Sequence, residues 1–493
     1  MKIVVNRKPA LIAAVVLVIV MLFVSAVYAQ SSTSVLKDGK WVAGDFHTHT
    51  YLTDGSNTQK EVVDQAFHYG LDWMANSEHG GLSARDPEGN AFPYALWRWI
   101  TLRDYSFPII EDLRVQHPDK LLVQGLEWNV PTHEHASVGI VADEPTAISD
   151  FEYIFDAADN DNSRSSEGLE KKNVTHADAV AGAKWLQDNY PDASYFLINH
   201  PSRKLKFSVA DIRDFNNAAP DVCFGFEGLP GHQKEAGRGG YDNDLGDNTY
   251  KARTYGGADY MVAKVGGLWD ALLGEGRKFW IFVNSDFHKT TNDFWPGEYA
   301  KSYTWVSDNS YDSLIDGLRS GNSFAVQGDL INELDFNIKS RGKVAVMGQT
   351  MTVNKGDNAQ ITIRFKSPAA NNNGDIPQVD HIDLIAGNVT GKAEPGTTAY
   401  NRDTNETARV VAKFSSDDWE VCDNGWCVVK YNLKKVQKDQ YFRLRGTNLG
   451  AGVENETDAD GNPLCDDLMG VNDASKAYED LWFYSNPIFV KVQ

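Results

Sequence analysis

Cysteine is scarce in this sequence: Cys223, Cys422, Cys427 and Cys465 are the only four in 493 residues, and none has CxxC spacing. That excludes the paired-thiol motifs of redox and zinc-ribbon proteins. In an exported chain Cys422 and Cys427 can still close a small disulfide loop, with Cys465 an alternative partner for either. Cys223, in Val222-Cys223-Phe224, reads as a buried thiol. Positive charge is short as well: 47 Lys and Arg against 68 Asp and Glu leave a net charge of -21. So acidic a chain repels phosphate backbones, which excludes nucleic-acid binding through a general basic surface. No G-x-S-x-G elbow occurs, and past the N-terminus no apolar run is long enough to cross a bilayer. Fixed-period repeats and low-complexity tracts are absent too. What is present is core material, 42% hydrophobic and 11% aromatic, which excludes wholesale disorder. The length exceeds one ordinary core and predicts two or more domains.

The N-terminus reads as a targeting segment. Lys2, Arg7 and Lys8 precede an apolar run over residues 10–24, and Val27-Tyr28-Ala29 offers small residues for cleavage after Ala29. Residues 1–29 are therefore expected to be a signal peptide and 30–40 a linker, placing the protein in the periplasm or outside the cell. The alternative is an uncleaved membrane anchor, the only membrane association expected. No Cys follows closely, so a lipoprotein anchor lacks its acceptor thiol.

From residue 41 to 330, short apolar runs alternate with helical stretches. Each run ends in a His, Asp or Glu: Val42-Ala43-Gly44-Asp45-Phe46 before His47, Leu71-Asp72-Trp73-Met74-Ala75 before His79, and the run over 121–126 before Glu127. Likewise Tyr195-Phe196-Leu197-Ile198 precedes His200, Val222-Cys223-Phe224-Gly225-Phe226 precedes Glu227, and the run over 278–283 precedes Asp286 and His288. Buried parallel strands joined by helices have this pattern, and in an α/β barrel such strand ends converge on one face. A distorted barrel is the expected architecture. Residues 156–172 and 230–254 read as loops, the second as a candidate lid. From 331 to 493, alternating stretches such as Ala359-Gln360-Ile361-Thr362-Ile363-Arg364-Phe365 predict an antiparallel β-sandwich.

The chemistry sits at the strand ends. His47 and His49 have the i, i+2 spacing that puts two imidazoles on one face, and Asp286 and His288 repeat it. Asp54, His79, Glu127, His133, His135 and His200 complete a set of residue types that bind Zn²⁺, Mn²⁺ or Fe²⁺. One or two of these would pass as polar caps; the whole set reads as a metal centre.

Gly44-Asp45-Phe46-His47-Thr48-His49-Thr50 with Thr53-Asp54-Gly55-Ser56 resembles the opening motif of the polymerase-and-histidinol-phosphatase (PHP) superfamily. Asn76-Ser77-Glu78-His79-Gly80 resembles its second motif, with Glu78 where Asp is usual. Gly125-Leu126-Glu127-Trp128, His135-Ala136-Ser137-Val138-Gly139, Asn199-His200-Pro201 and Asn284-Ser285-Asp286-Phe287-His288 resemble the later ones, in order. The resemblance implies a distorted (β/α)₇ barrel over 41–330 with two or three divalent ions, zinc, manganese or iron. It implies that His47, His49, Glu127 and Asp286 hold one ion, and that Glu127 is shared with a second held by His135 and His200. Asp54, His79 and His288 would hold a third. Trp482-Phe483-Tyr484-Ser485-Asn486-Pro487-Ile488-Phe489 is similar to the end of PHP-type metallohydrolases related to carbaryl hydrolase, which also append a β-rich domain.

The expected activity is hydrolysis of a small-molecule ester, a phosphoester first and a carbamate or carboxylic ester as the alternative; a non-catalytic metal-dependent binding protein is the third reading. His288 or His133 is expected to assist proton transfer. Arg203, Lys204 and Arg238 are candidates to grip a phosphate. Glu227 is expected either near the site or as a hydrogen-bonded cap. Trp128, Trp295 and Tyr299 are candidate pocket walls, with core packing the simpler expectation.

Overall fold

A computed structural model describes residues 38–240, 245–422, 424–466 and 474–493. The proposed signal peptide, most of the linker and part of the proposed lid lie outside them. Among the described residues no helix is long and apolar enough to cross a membrane.

Nine strands from the first part of the chain, apart from two small hairpins, build the main sheet: β1 (Lys40–Asp45), β2 (Trp73–Asn76), β3 (Leu121–Asn129), β4 (His135–Ile140), β5 (Ser194–Ile198), β6 (Cys223–Leu229), β7 (Trp280–Val283), β8 (Ala300–Val306) and β9 (Ser323–Gln327). Those that read as apolar runs are buried along nearly their whole length. Helices fill the connections where the sequence caps them. Thr58 and Glu61 form a capping box that starts α1 (Gln59–His68), which buries Val62, Val63 and Ala66. Thr175 with Asp178 starts α2 (His176–Asn189), and Ser208 with Asp211 starts α3 (Val209–Ala218).

The strands pair in the order β7-β6-β5-β4-β3-β2-β1-β8-β9. β1, β2 and β3 are mutually parallel, as are β5, β6 and β7. β4 runs antiparallel to β3 because only residues 130–134 link them, too few for a parallel crossover, and it is antiparallel to β5 as well. The result is a large mixed sheet. The expected distorted (β/α)₇ barrel does not close among the described residues, and the reason lies in β1: its two edges are taken by parallel β2 and antiparallel β8. The ends of β1 and β7 nonetheless lie side by side. Phe46 N donates to Asn284 Oδ1 (3.1 Å), Ser285 N to Asp45 Oδ2 (3.0 Å) and His49 N to the Phe287 carbonyl (2.8 Å).

The same sheet continues into the C-terminal part. β9 pairs with Trp482–Ser485, followed by Gln440–Thr447, His381–Asn388 and Arg409–Ser415. A separate antiparallel sheet holds Lys343–Val346, Glu333–Ser340, Ala359–Lys366, Cys427–Leu433 and Glu420–Val421. The two sheets share one apolar cluster, with Ile361, Ile363 and Leu334 from one and Leu384, Phe442 and Leu444 from the other. The tail motif is structural: Asn486 Oδ1 accepts from Ile281 N (2.9 Å), tying the end of the chain to β7. Cys223 is buried, and neither it, Cys422 nor Cys427 carries a disulfide.

Candidate metal centre

Each strand end delivers its side chain to one place. His47 and His49, just past β1, face each other with Nε2 atoms 3.0 Å apart. Asp286 Oδ1, past β7, lies 3.1 Å from His47 Nε2 and 3.2 Å from His49 Nε2. Glu127, near the end of β3, sits among imidazoles: its oxygens are 3.2 Å from His47, 3.3 Å from His49, 2.8 Å from His79, 3.0 Å from His135 and 3.1 Å from His200. Asp54 stands at the mouth, 3.4 Å from both His79 and His288 and 3.8 Å from His49. All nine residues that the motifs pointed to as ligands are thus in one constellation.

Burial grades the site. His47, His49, Glu127, His200 and Asp286 are buried, whereas His79, His135 and His288 are partly open and the Asp54 side chain is 57% exposed. The constellation faces solvent on one side only.

The backbone is held in uncommon conformations here. His200 (φ 26°) and Asp286 (φ 46°) both lie at positive φ without being glycine. Such geometry costs on the order of 1–3 kcal/mol per residue and persists where the surroundings over-determine it. Those surroundings are on hand. Glu227 accepts from His200 N (3.1 Å) and Gly231 N (3.1 Å) and comes within 3.5 Å of His47 Nδ1, so it is both a strand-end cap and a neighbour of the site. Asp45 accepts from His47 N (2.9 Å), and Asn199 donates to Glu127 Oε1 (3.2 Å). Glu78 accepts from the hydroxyls of Thr50 and Thr53, pinning the loop between His49 and Asp54. Arg98, buried, donates to the His79 carbonyl (2.7 Å).

The electrostatics are those of carboxylates lacking a counter-cation. Burial would push Glu127 up, but the imidazoles of His135, His47 and His79 hold it well below the usual carboxylate range. Burial would lower His79, yet Glu127 and Asp54 lift it to about 10, and Asp286 with Glu127 raises His47 well above the ordinary imidazole value. The cluster therefore demands positive charge, and among the described residues no Lys or Arg pairs with Glu127 or Asp286. Three buried donor atoms, His47 Nδ1, Glu127 Oε2 and Asp286 Oδ1, make no well-aligned hydrogen bond, their near neighbours being other members of the cluster and Glu227. Donors held 2.0–2.2 Å from one ion in a tetrahedral shell lie roughly 3.3–3.6 Å apart, and the spacings here, 3.0–3.3 Å, are at or just below that range. Overlapping groups, among them His47/His49/Asp286, His79/Glu127/His135 and His49/Asp54/His79/His288, bring their donor atoms within 4.8 Å of one another. The residues fit divalent ions.

Two expectations fail and one residue was missed. Arg238 is no lid cation: it is 2% exposed and its guanidinium is committed to Asp480 and to Tyr299 Oη (2.8 Å). His133 does not reach the cluster. Its Nδ1 bonds the Lys206 carbonyl (2.9 Å), its Nε2 faces His176 Nδ1 (2.9 Å), and its ring stacks on Phe207. His288 Nδ1 donates to the Asp286 carbonyl (2.8 Å) and its Nε2 faces Asp54 Oδ1 (3.4 Å); against the pull of burial, the carboxylates of Asp54 and Asp286 raise this imidazole above its ordinary value. The missed residue is His232, at φ 55°, bridging Asp286 Oδ2 (3.0 Å) and Asp293 Oδ1 (2.6 Å). It lies three residues past the end of β6, the strand that carries Glu227, and that position was the available signal. Arg203, Lys204 and Lys206 line a cleft together with His135 and Glu134, and the Glu134 carboxylate lies 3.9 Å from Arg203 and 3.3 Å from Lys204. Trp128 and Tyr299 are core residues, and Trp295 stacks on Phe287.

No protein-family model and no curated protein matches the sequence. Among solved structures, the chain is similar to a two-domain protein from Bacteroides vulgatus containing a predicted PHP-like metal-dependent phosphoesterase. The TM-score is 0.37 at 12% identity, over 87% of this chain and 95% of that one. At that distance the functional reading rests on the side chains themselves.

Proposed function

We propose that the protein is a metal-dependent hydrolase of the PHP type, acting on a small-molecule phosphoester. The observation that carries this reading is the convergence of His47, His49, Glu127 and Asp286, donor atoms 3.0–3.3 Å apart, with no permanently charged partner. In this reading those four hold one ion, Glu127, His135 and His200 a second, and Asp54, His79 and His288 a third. Bound ions would supply Lewis acidity and water made acidic enough to ionise near neutral pH. The chain's own groups do the rest. Glu227, Asp45 and Asn199 orient the ligands. His232, set between Asp293 and Asp286, is placed to hold or pass a proton at the rim. Arg203, Lys204 and Lys206 favour an anionic substrate at the His135 side of the cleft. The seven strands β1–β7 in sequential order support an opened form of the family's barrel over residues 41–330, with 331–493 as an appended β-domain and export directed by residues 1–29. With a net charge of -21, nucleic acid is not the expected partner.

A carbamate or carboxylic-ester hydrolase is the second reading, supported by the tail motif. The experiment is turnover of metal-loaded protein on generic phosphate, carboxyl-ester and carbamate substrates. Phosphate turnover abolished by chelation is the expected result. Turnover of neutral esters without phosphates selects the second reading, and full metal occupancy with no turnover of any class contradicts both.

A further inference from the structure

Beyond the main constellation a second, separate set of metal-binding donors occurs. His133, His176 and Asp211 bring one donor atom each within 4.8 Å of the others, and none belongs to the nine residues above. They come from three segments: the 130–134 link between β3 and β4, the first residue of α2, and the first turn of α3.

The hydrogen bonds around the pair fix where its lone pairs point. A carbonyl oxygen can only accept, so His133 Nδ1, 2.9 Å from the Lys206 carbonyl, carries the proton and Nε2 is bare. His176 Nε2 lies 3.2 Å from Asp214 Oδ2, which accepts, so in the neutral ring Nδ1 is bare. Those two bare nitrogens face each other at 2.9 Å. Two lone pairs at hydrogen-bond distance repel, so the contact needs either a proton shared by the two rings or a metal ion between them. The third donor is oriented too. Asp211 Oδ2 accepts from Ser208 N (2.8 Å) and Oγ (2.6 Å), and Oδ1 is turned to within 3.7 Å of His176 Nδ1. Asp214 is itself held by Tyr400 Oη (2.7 Å). Each imidazole therefore has an acceptor behind it and a lone pair in front, the arrangement of metal-bound histidines.

We infer that His133, His176 and Asp211 form a distinct site for one divalent ion of borderline softness, zinc being the best match to two imidazoles and a carboxylate, with solvent in the remaining position. The ion would staple the 130–134 link to α2 and α3. Because Lys206 is bonded to His133, it would also steady the basic edge of the neighbouring cleft.

The test strips the full chain with a chelator, reloads it with Zn²⁺, removes unbound ion and counts zinc per chain by mass spectrometry. His176→Ala and Asp211→Asn are each expected to hold one equivalent fewer than wild type and to keep the others. Asp211→Asn retains an oxygen for the Ser208 cap, so it reports even where His176→Ala folds poorly. With Co²⁺ in place of zinc, both variants are expected to lose part of the visible ligand-field absorption. Equal zinc content and equal Co²⁺ spectra in wild type and both variants would mean that the two imidazoles share a proton instead, and would overturn the site.

Discussion

Buried carboxylates are treated in two different ways in this molecule. Along the C-terminal strands and at their seam with the first part, four of them are paired with an arginine: Asp270 with Arg443 (2.8 Å), Asp383 with Arg445 (2.6 Å), Asp335 with Arg364 (2.9 Å) and Asp480 with Arg238. At the ends of β3 and β7, Glu127 and Asp286 face imidazoles, with the Asn199 amide also on Glu127, and no Lys or Arg among the described residues pairs with either. An arginine is charged at any accessible pH, so the first arrangement is complete within the chain. An imidazole is charged only when it takes a proton, so the second is completed from outside. The same chemical problem, a carboxylate out of water, has a structural answer in one region and a ligand-binding answer in the other.

The contrast can be broken most forcefully at Asp286. Asp286→Asn is expected to remove at least one bound ion and to lower kcat/KM by about 10³-fold or more, measured by metal analysis and steady-state kinetics. Chelation is next. Stripping the ions should destabilise wild type by about 3 kcal/mol when the free metal stood at ~100 times its Kd, read as a fall in Tm reversed by re-addition. In His47→Ala the same chelator should shift Tm far less, while the C-terminal sheets stay folded by circular dichroism. The arginine pairs should behave in the opposite sense. Arg443→Met should cost about 3–5 kcal/mol in denaturant unfolding by stranding Asp270, with metal stoichiometry unchanged, and adding Asp270→Leu should recover much of that loss. The smallest effect belongs to the rim. Arg203→Ala should raise KM for a phosphate substrate by about tenfold and leave KM for a neutral ester nearly unchanged; equal rises on both would remove Arg203 from phosphate recognition.

The ligand set was readable because most of its donors follow an apolar run, as His47, His79, Glu127, His200 and Asp286 do, and strand ends converge in space whatever the loops between them do. The i, i+2 pairs His47/His49 and Asp286/His288 added geometry that periodicity alone supplies. What was hidden depends on distant partners. Arg238 sits in a Gly-, Asp- and Arg-rich segment with the composition of a mobile lid, and its partner Asp480 is 242 residues away. His133 reads as one more site histidine because nothing local discloses His176 across 43 residues. His232 stands alone in its loop, with no spacing to mark it. The open sheet was invisible for a similar reason: β8 occupies the second edge of β1, a pairing between residues 40–44 and 302–306 that no local pattern encodes. The β-rich character beyond residue 331 was legible in the alternation of residues 359–365, but its continuity with the first sheet, through β9 and Trp482–Ser485, was not.

The central claim is that Glu127 sits at the middle of a shared cation site. Metal content of the full chain, purified without added metal, dialysed against a weak chelator and measured beside Glu127→Gln, tests it directly. The account predicts that the variant, still folded, holds at least two fewer divalent ions per chain than wild type. Identical metal content in the two proteins would contradict it.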